Sequence, residues 1–373
     1  MAYLGENIPK LGFGMMRLPM KDNVIDIEQT KDMVDMFLDG GFTYFDTAYG
    51  YFEGRSEETA KTAIVDRHPR EKFQLTTKLP AWAGPKTADE ARQMFWTSLK
   101  RTGAEYFDYY LLHNLGSTRT KSFYDYGIWD YAFELKEKGL VRHVGFSFHD
   151  KASLLDEILT KHPEMEFVQL QINYGDWESG TVQARLCYEV ARRHNKPIII
   201  MEPVKGGMLA DLLAPEVKAV FDETGSDASY ASWALRFAAS LDGIITVLSG
   251  MSTLAQVVDN IDNMKNFRPL DDRERAVIAR AQKTLSAIPS IPCTACGYCI
   301  SGCPEGIVIP QILEMLNREK VYNDLRSAKF GYFRETQFGG KGSACTKCGN
   351  CEAACPQQIK IIDLLQEAAS KYE

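Results

Sequence analysis

The sequence lacks several things, and each absence narrows what the chain can be. It has no excess of positive charge: 43 Lys and Arg stand against 50 Asp and Glu, a net charge of −7. That argues against broad binding to nucleic acid or an anionic membrane, which needs a basic surface. It has no apolar run of transmembrane length; the densest is "PIIIMEPV" (197–204). The first ten residues, "MAYLGENIPK", have no basic stretch followed by an apolar core, so no secretory signal is read there and a cytoplasmic location is expected. No G-x-G-x-x-G follows an apolar run; "GFGMMR" (12–17) starts like one but carries Arg17 at the third glycine position, which speaks against a Rossmann cofactor site. Through residue 292 there is one cysteine, Cys187, whose surroundings "GTVQARLCYEVARRHN" predict a packed thiol on a helix.

What is present is an alternation. Eight apolar runs are separated by amphipathic segments: "KLGFGMMRL", "GFTYFDTA", "FQLTTKL", "FDYYLLH", "RHVGFSF", "FVQLQINY", "PIIIMEPV" and "GIITVLSG". Helix-like stretches lie between them, such as 87–103 and 150–162. Doubly wound sheets alternate too, but eight strand–helix units fit a (β/α)₈ TIM barrel better, an α/β fold. Segments 252–264 and 271–289 read as helices, the second closing the barrel. The two prolines of "IPSIP" (288–292) mark a boundary, giving a barrel domain over 1–289 and a second domain over 290–373.

The second domain is an internal duplication. Cys293, Cys296, Cys299 and Cys303 return 52 residues later as Cys345, Cys348, Cys351 and Cys355, each set followed by proline. Ile307, Ile309 and Leu313 return as Ile359, Ile361 and Leu365. Between the units lie a helix-like stretch (310–329) and a glycine-rich loop (338–344). Each unit reads C-x₂-C-x₂-C-x₃-C-P. Zinc usually takes two separated C-x₂-C pairs, which fits this tight triple badly. The spacing resembles that of the bacterial two-cluster ferredoxins, in a small, mainly helical variant. That resemblance implies two [4Fe–4S] clusters with crossed ligation, the fourth Cys of each run serving the other cluster. One cluster would take Cys293, Cys296, Cys299 and Cys355; the other Cys345, Cys348, Cys351 and Cys303.

Barrel active sites lie at the C-terminal ends of the strands. Asp46 ends "TYFD", Tyr51 follows in the next loop, Lys78 ends "QLTTK" and His113 ends "YYLLH". An acid, a phenol, an amine and an imidazole on consecutive strands suggest one converging site. The stretches "GFTYFDTAYGYFEGRSEE", "TTKL", "YYLLHN" and "VGFS" resemble the aldo-keto reductase signatures in order and spacing, over roughly residues 8–265. The resemblance implies that Asp46, Tyr51, Lys78 and His113 form that family's catalytic tetrad, with the Asp-x₄-Tyr spacing choosing Tyr51 over Tyr49. A tyrosine alone titrates near about 10. An ammonium about 4 Å away is worth about 4 kcal/mol at an effective dielectric of about 20, roughly three pKa units.

The resemblance also implies a nicotinamide cofactor. Ser147 and Gln169 match contacts to its amide, although Phe148 stands where the family usually has Asn. Pro203, in "EPVKGG", matches the loop along the pyrophosphate. Gly250, Ser252, Gln256 and Asn260 match the segment around the adenosine 2′-phosphate. Gln256 stands where many members carry Arg, and an amide cannot pair bidentately with a phosphate, so NADP(H) and NAD(H) both stay open. Trp82 and Trp177 are candidate walls for a small-molecule carbonyl or alcohol substrate. Hydride chemistry moves two electrons and iron–sulfur cubes move one. No flavin motif appears, although a barrel can hold a flavin without one. The expected function is a nicotinamide-dependent carbonyl or alcohol oxidoreductase whose tail relays electrons from a ferredoxin- or flavodoxin-type partner. Two alternatives remain: clusters that only brace the tail, or a barrel serving as a binding module in an electron-transfer protein.

Overall fold

The computed structural model describes residues 4–180, 182–322, 325–337 and 339–373. It divides into two compact units, Met1–Val204 with Ala231–Asp272, and Lys205–Tyr230 with Arg273–Glu373.

The first unit is built on eight strands: β1 (Leu11–Gly14), β2 (Tyr44–Asp46), β3 (Gln74–Leu79), β4 (Phe107–Leu115), β5 (Val141–Phe148), β6 (Phe167–Gln171), β7 (Ile198–Met201) and β8 (Ile244–Ser249). All pair in parallel with their neighbours, and β1 closes the ring between β2 and β8. Each strand coincides with one of the eight apolar runs, β4 ending two residues past its run and β5 starting one residue before its own. The runs are continuous because a parallel strand in such a barrel is covered on both faces. Tyr44, Tyr109, Leu111, Phe167, Ile199, Ile245 and Leu248 pack together in the barrel interior. Their sequence neighbours, among them Phe45, Tyr110, Leu112, Val168, Ile198 and Ile200, join the larger outer core under the helices. Gly145 is required by this inner layer: a Cβ there would lie 2.5 Å from the Phe167 carbonyl oxygen.

Helices follow the strands: α1 (Ile27–Asp39), α2 (Arg55–Ala60), α3 (Ala88–Thr102), α4 (Thr120–Asp125), α5 (Ile128–Glu137), α6 (Ala152–Lys161) and α7 (Ala184–Arg193). Asp26 caps α1 by accepting from Gln29 N at 3.1 Å, and Thr87 caps α3 by accepting from Glu90 N at 3.2 Å. Cys187 is a buried thiol on α7. Next come α8 (Pro215–Asp222), α9 (Tyr230–Ala239), α10 (Leu254–Met264) and α11 (Asp272–Ser286). The sequence assigned α11 to the barrel. Arg280 on this helix pairs with Glu223 just beyond α8.

The C-terminal part is helical: α12 (Ile309–Tyr322), α13 (Leu325–Glu335), the short α14 (Asn350–Ala354) and α15 (Ile361–Tyr372). The stretch 310–329 is helical on both sides of 323–324, which lie outside the described residues. Residue 338 of the glycine-rich loop is also outside them. The duplication is visible in the packing: Ile307, Ile309 and Leu313 and their counterparts Ile359, Ile361 and Leu365 are all buried in one core. It is also visible in the backbone. Ala295, Gly297 and Gly306 have φ of 52°, 78° and 58°; 52 residues on, Lys347, Gly349 and Gln358 have 60°, 83° and 52°. Among the described residues, no helix is long and apolar enough to cross a membrane.

Candidate active site and thiol cavities

The strand ends place the four predicted barrel residues together. Asp46 is the last residue of β2, Lys78 the fifth of β3 and His113 the seventh of β4. Lys78 is 1 % exposed, and its ammonium donates to the Asp46 carboxylate, to the Thr47 carbonyl at 2.8 Å and to the Tyr51 hydroxyl at 3.4 Å. The Tyr51 and His113 rings meet edge-on with centroids 5.8 Å apart. Tyr51 reaches this point from the loop after β2, which Tyr49 N anchors by donating to the Lys78 carbonyl at 3.2 Å.

Burial pushes the Asp46 carboxyl up and the Lys78 ammonium down, and each charge opposes the other's shift. This is the behaviour of a buried ion pair that is stable only because both members are present. His113 is held well below the ordinary histidine value by burial, then by the Lys78 charge, His149 and the Arg119 charge. Its imidazole is therefore neutral at neutral pH, able to donate one N–H while the other nitrogen accepts.

The residues matched to cofactor contacts divide into two sets. Gln169, on β6, donates from Nε2 to Asp46 at 3.3 Å, while its Oε1 is buried with no protein partner. Ser147, one strand earlier, accepts from Asn114 N at 2.7 Å. These two sit at adjoining strand ends, paired in register. Pro203 is buried just past β7. Gly250 packs against the stem of Arg17, where a Cβ would be 3.3 Å from Cδ. Ser252 donates to the Arg17 carbonyl at 2.7 Å, and Gln256 turns its side-chain oxygen back to Ser252 N at 2.8 Å. Asn260 is buried and donates to Ser249 Oγ at 2.9 Å. The two tryptophans also differ. Trp82 donates to the His113 carbonyl at 2.8 Å, whereas Trp177 packs edge-on against Phe237 at 5.5 Å.

The thiols line two separate cavities. Cys293, Cys296, Cys299 and Cys355 border one; Cys303, Cys345, Cys348 and Cys351 border the other. The last cysteine of each run is thus brought to the other run's cavity. Cys299 and Cys351 are buried and Cys348 is exposed. Burial, then the nearby Cys296, Cys293 and Cys355 thiols, push the Cys299 thiol up. Four such thiolates need a positive centre among them. Four thiols around each cavity suit an iron–sulfur cube.

Sequence reasoning missed three contacts. Arg17, noted only as a break in a glycine motif, pairs with Glu202 at 3.1 Å. Gln169 bonds Asp46 as described above. Glu57, inside the quoted signature "EGRSEE", is wholly buried and pairs with Arg101 on α3 at 3.3 Å. A carboxylate among the charged residues of that signature gives no sign of burial in the sequence.

A closed parallel barrel with an acid–amine–phenol–imidazole group at its C-terminal mouth is the scaffold of a barrel oxidoreductase. Residues 10–283 match the aldo/keto reductase family, and the chain belongs to that family. Residues 292–360 match a 4Fe-4S dicluster domain. An aldo-keto reductase from Mycobacterium sp. (strain KMS) is 30% identical over 149 residues, 38% of this chain and 47% of that protein. The 9,11-endoperoxide prostaglandin H2 reductase of Trypanosoma cruzi is 27% identical over 212 residues, 56% of this chain and 67% of its own. The chain spans about half the length or less of the first curated relatives it matches. Among solved structures, the aldo-keto reductase AKR11C1 from Bacillus halodurans superposes with a TM-score of 0.58 at 22% identity, covering 74% of this chain and 92% of its own. A Klebsiella pneumoniae aldo/keto reductase in complex with NADP and acetate gives 0.58 at 21% identity, covering 73% and 91%. These structural likenesses establish the fold.

Proposed function

We propose that the barrel reduces a small carbonyl compound, or oxidises the alcohol, with a nicotinamide cofactor. The observation that carries this is the Lys78 ammonium, held between the Asp46 carboxylate and the Tyr51 hydroxyl beside a neutral His113. A carbonyl oxygen seated between Tyr51 and His113 would take the phenol's proton, while the imidazole N–H orients that oxygen. The ammonium stabilises the phenolate left behind, which makes the proton easier to give near neutral pH. Asp46 keeps the ammonium charged and aimed. The buried, unpartnered Oε1 of Gln169 suits an amide N–H donor such as the nicotinamide carboxamide, with Ser147 on the next strand. Bound there, the nicotinamide would supply the hydride. The NADP complex of the Klebsiella protein supports the same cofactor class. Tyr51→Phe tests the reading. NADPH-dependent aldehyde reduction should fall at least about 100-fold while cofactor affinity is kept; wild-type rates in this variant would overturn the assignment.

The tail is proposed as an electron relay rather than a brace. Two thiol cavities, not one, support this, since a single metal suffices to hold a fold together. Cys293, Cys296, Cys299 and Cys355 would hold one [4Fe–4S] cluster, and Cys345, Cys348, Cys351 and Cys303 the other. Bound, the clusters would supply one-electron transfer, and the exposed Cys348 suits exchange with a ferredoxin- or flavodoxin-type partner. Anaerobic NADPH or NADH should bleach the cluster absorbance, in the presence or absence of a carbonyl substrate. Absorbance unchanged under every condition favours the brace.

A further inference from the structure

The loop that carries Tyr51 is strained. Phe52, Glu53 and Gly54 follow it with φ of 50°, 59° and 94°, three consecutive residues in the left-handed region, two of them not glycine. Such a run persists only where the surroundings over-determine it. Arg55 Nε donates to the Phe52 carbonyl at 3.1 Å, and the Arg101 side chain holds the loop on both sides of Tyr51. Its guanidinium donates to the Tyr49 carbonyl at 3.1 Å and lies over the Tyr49 ring, 4.5 Å from the centroid. It also fills the space beside Gly54 so closely that a Cβ there would be 2.5 Å from Cζ. Arg101 therefore grips the loop two residues before Tyr51 and three residues after it.

Arg101 is in turn held from behind. It pairs with Glu57 at 3.3 Å. Glu57 is 0 % exposed and accepts from Thr77 Oγ1 at 2.7 Å. Thr77 immediately precedes Lys78 on β3. The chain of contacts thus runs from the strand that carries the amine, through Glu57 and Arg101, to the loop that carries the phenol. Ser56 adds a second tie, donating to the Met15 carbonyl at 3.0 Å and bonding Thr47 Oγ1 at 2.7 Å.

We infer that Arg101, braced by Glu57, is a positioning residue that fixes the separation of the Tyr51 hydroxyl from the Lys78 ammonium. The inference rests on the reductase reading for its kinetic consequence, but its physical content is independent of turnover. Loosening the loop lets the phenol drift from the ammonium. The phenolate loses part of its stabilisation, so the Tyr51 hydroxyl gives up its proton less readily and its titration moves to higher pH.

The test compares the full-length wild-type protein with Arg101→Ala, Arg101→Lys and Glu57→Gln. Two readouts are used: steady-state benzaldehyde reduction by NADPH as a function of pH, and an ultraviolet tyrosinate titration referenced to Tyr51→Phe. Arg101→Ala should lower kcat roughly tenfold or more with NADPH affinity nearly unchanged, and should raise the Tyr51 titration by about one pH unit or more. Arg101→Lys should recover part of both effects, because an ammonium can still reach the Tyr49 carbonyl but cannot fill the space beside Gly54. Glu57→Gln should fall between wild type and Arg101→Ala. If wild type reduces no carbonyl yet the titration shifts, the clamp stands and the reductase reading fails. If the Tyr51 titration is unchanged in both Arg101→Lys and Glu57→Gln, the clamp is overturned whatever the turnover, even where Arg101→Ala proves too unstable to measure.

Discussion

His113 is the residue whose environment makes the sharpest pH statement. Buried, and beside the Lys78 and Arg119 charges and His149, it resists protonation. In the unfolded chain its pKa is about 6.5. Below that pH the unfolded state takes up a proton that the folded state refuses, so stability falls as the solution is acidified and is fully present above about 6.5. The slope is at most about 1.4 kcal/mol per pH unit for this one group. Thermal unfolding followed from pH 8 to about pH 5 should show the loss, and His113→Gln should flatten it relative to wild type. The same depression means that kcat should show no acid limb near pH 6.5 from this imidazole; a limb there that vanishes in His113→Gln would contradict a neutral role.

At this scale much of the site was legible. Asp46, Lys78 and His113 end apolar runs, and strand ends in a parallel barrel converge, so the pattern alone brought them together. Tyr51 needed the family spacing to separate it from Tyr49. The structure then distinguishes them physically: Tyr51 faces the amine, while Tyr49 lies under Arg101. Gln169 and Glu57 could not be recognised as neighbours of Asp46 and Arg101, because those contacts join residues far apart in sequence through the closure of the barrel and the docking of α2 on α3.

Among the elements, the strands were the easiest to read, since both faces of a barrel strand are covered and the runs stand out as continuous. What a hydropathy pattern does not show is where an inner layer has room for no side chain at all. Gly145, in the middle of β5, is such a place, because the Phe167 ring and carbonyl occupy the space a Cβ would need. Gly145→Ala should cost about 3 kcal/mol or more, since the nearest obstacle is backbone and cannot step aside. Gly180→Ala, where nothing lies within 4 Å of the added atom, should stay within about 0.5 kcal/mol. Urea unfolding of the two variants against wild type decides this; equal midpoints would show that the inner layer yields.

The whole molecule joins an aldo/keto reductase family barrel to a duplicated thiol unit, and the duplication itself dictates how the unit is built. A gene segment copied within one chain gives two runs with the same local turn, which is why the left-handed residues recur at one offset. Two such runs packed about a common core bring the end of each beside the start of the other, as Ile307, Ile309 and Leu313 pack with Ile359, Ile361 and Leu365. Cys355 therefore borders the first cavity and Cys303 the second. This makes a prediction that a simple tandem arrangement does not share. With both clusters in place the chain should carry about eight irons. Cys303→Ser should weaken or remove the cluster of Cys345, Cys348 and Cys351, and leave about four irons. Its reduced electron paramagnetic resonance spectrum should match that of a variant lacking Cys345, Cys348 and Cys351, and Cys355→Ser should match one lacking Cys293, Cys296 and Cys299. If each serine variant instead matches the loss of its own run, ligation is not crossed, and the two cavities belong to a protein whose halves bind metal independently.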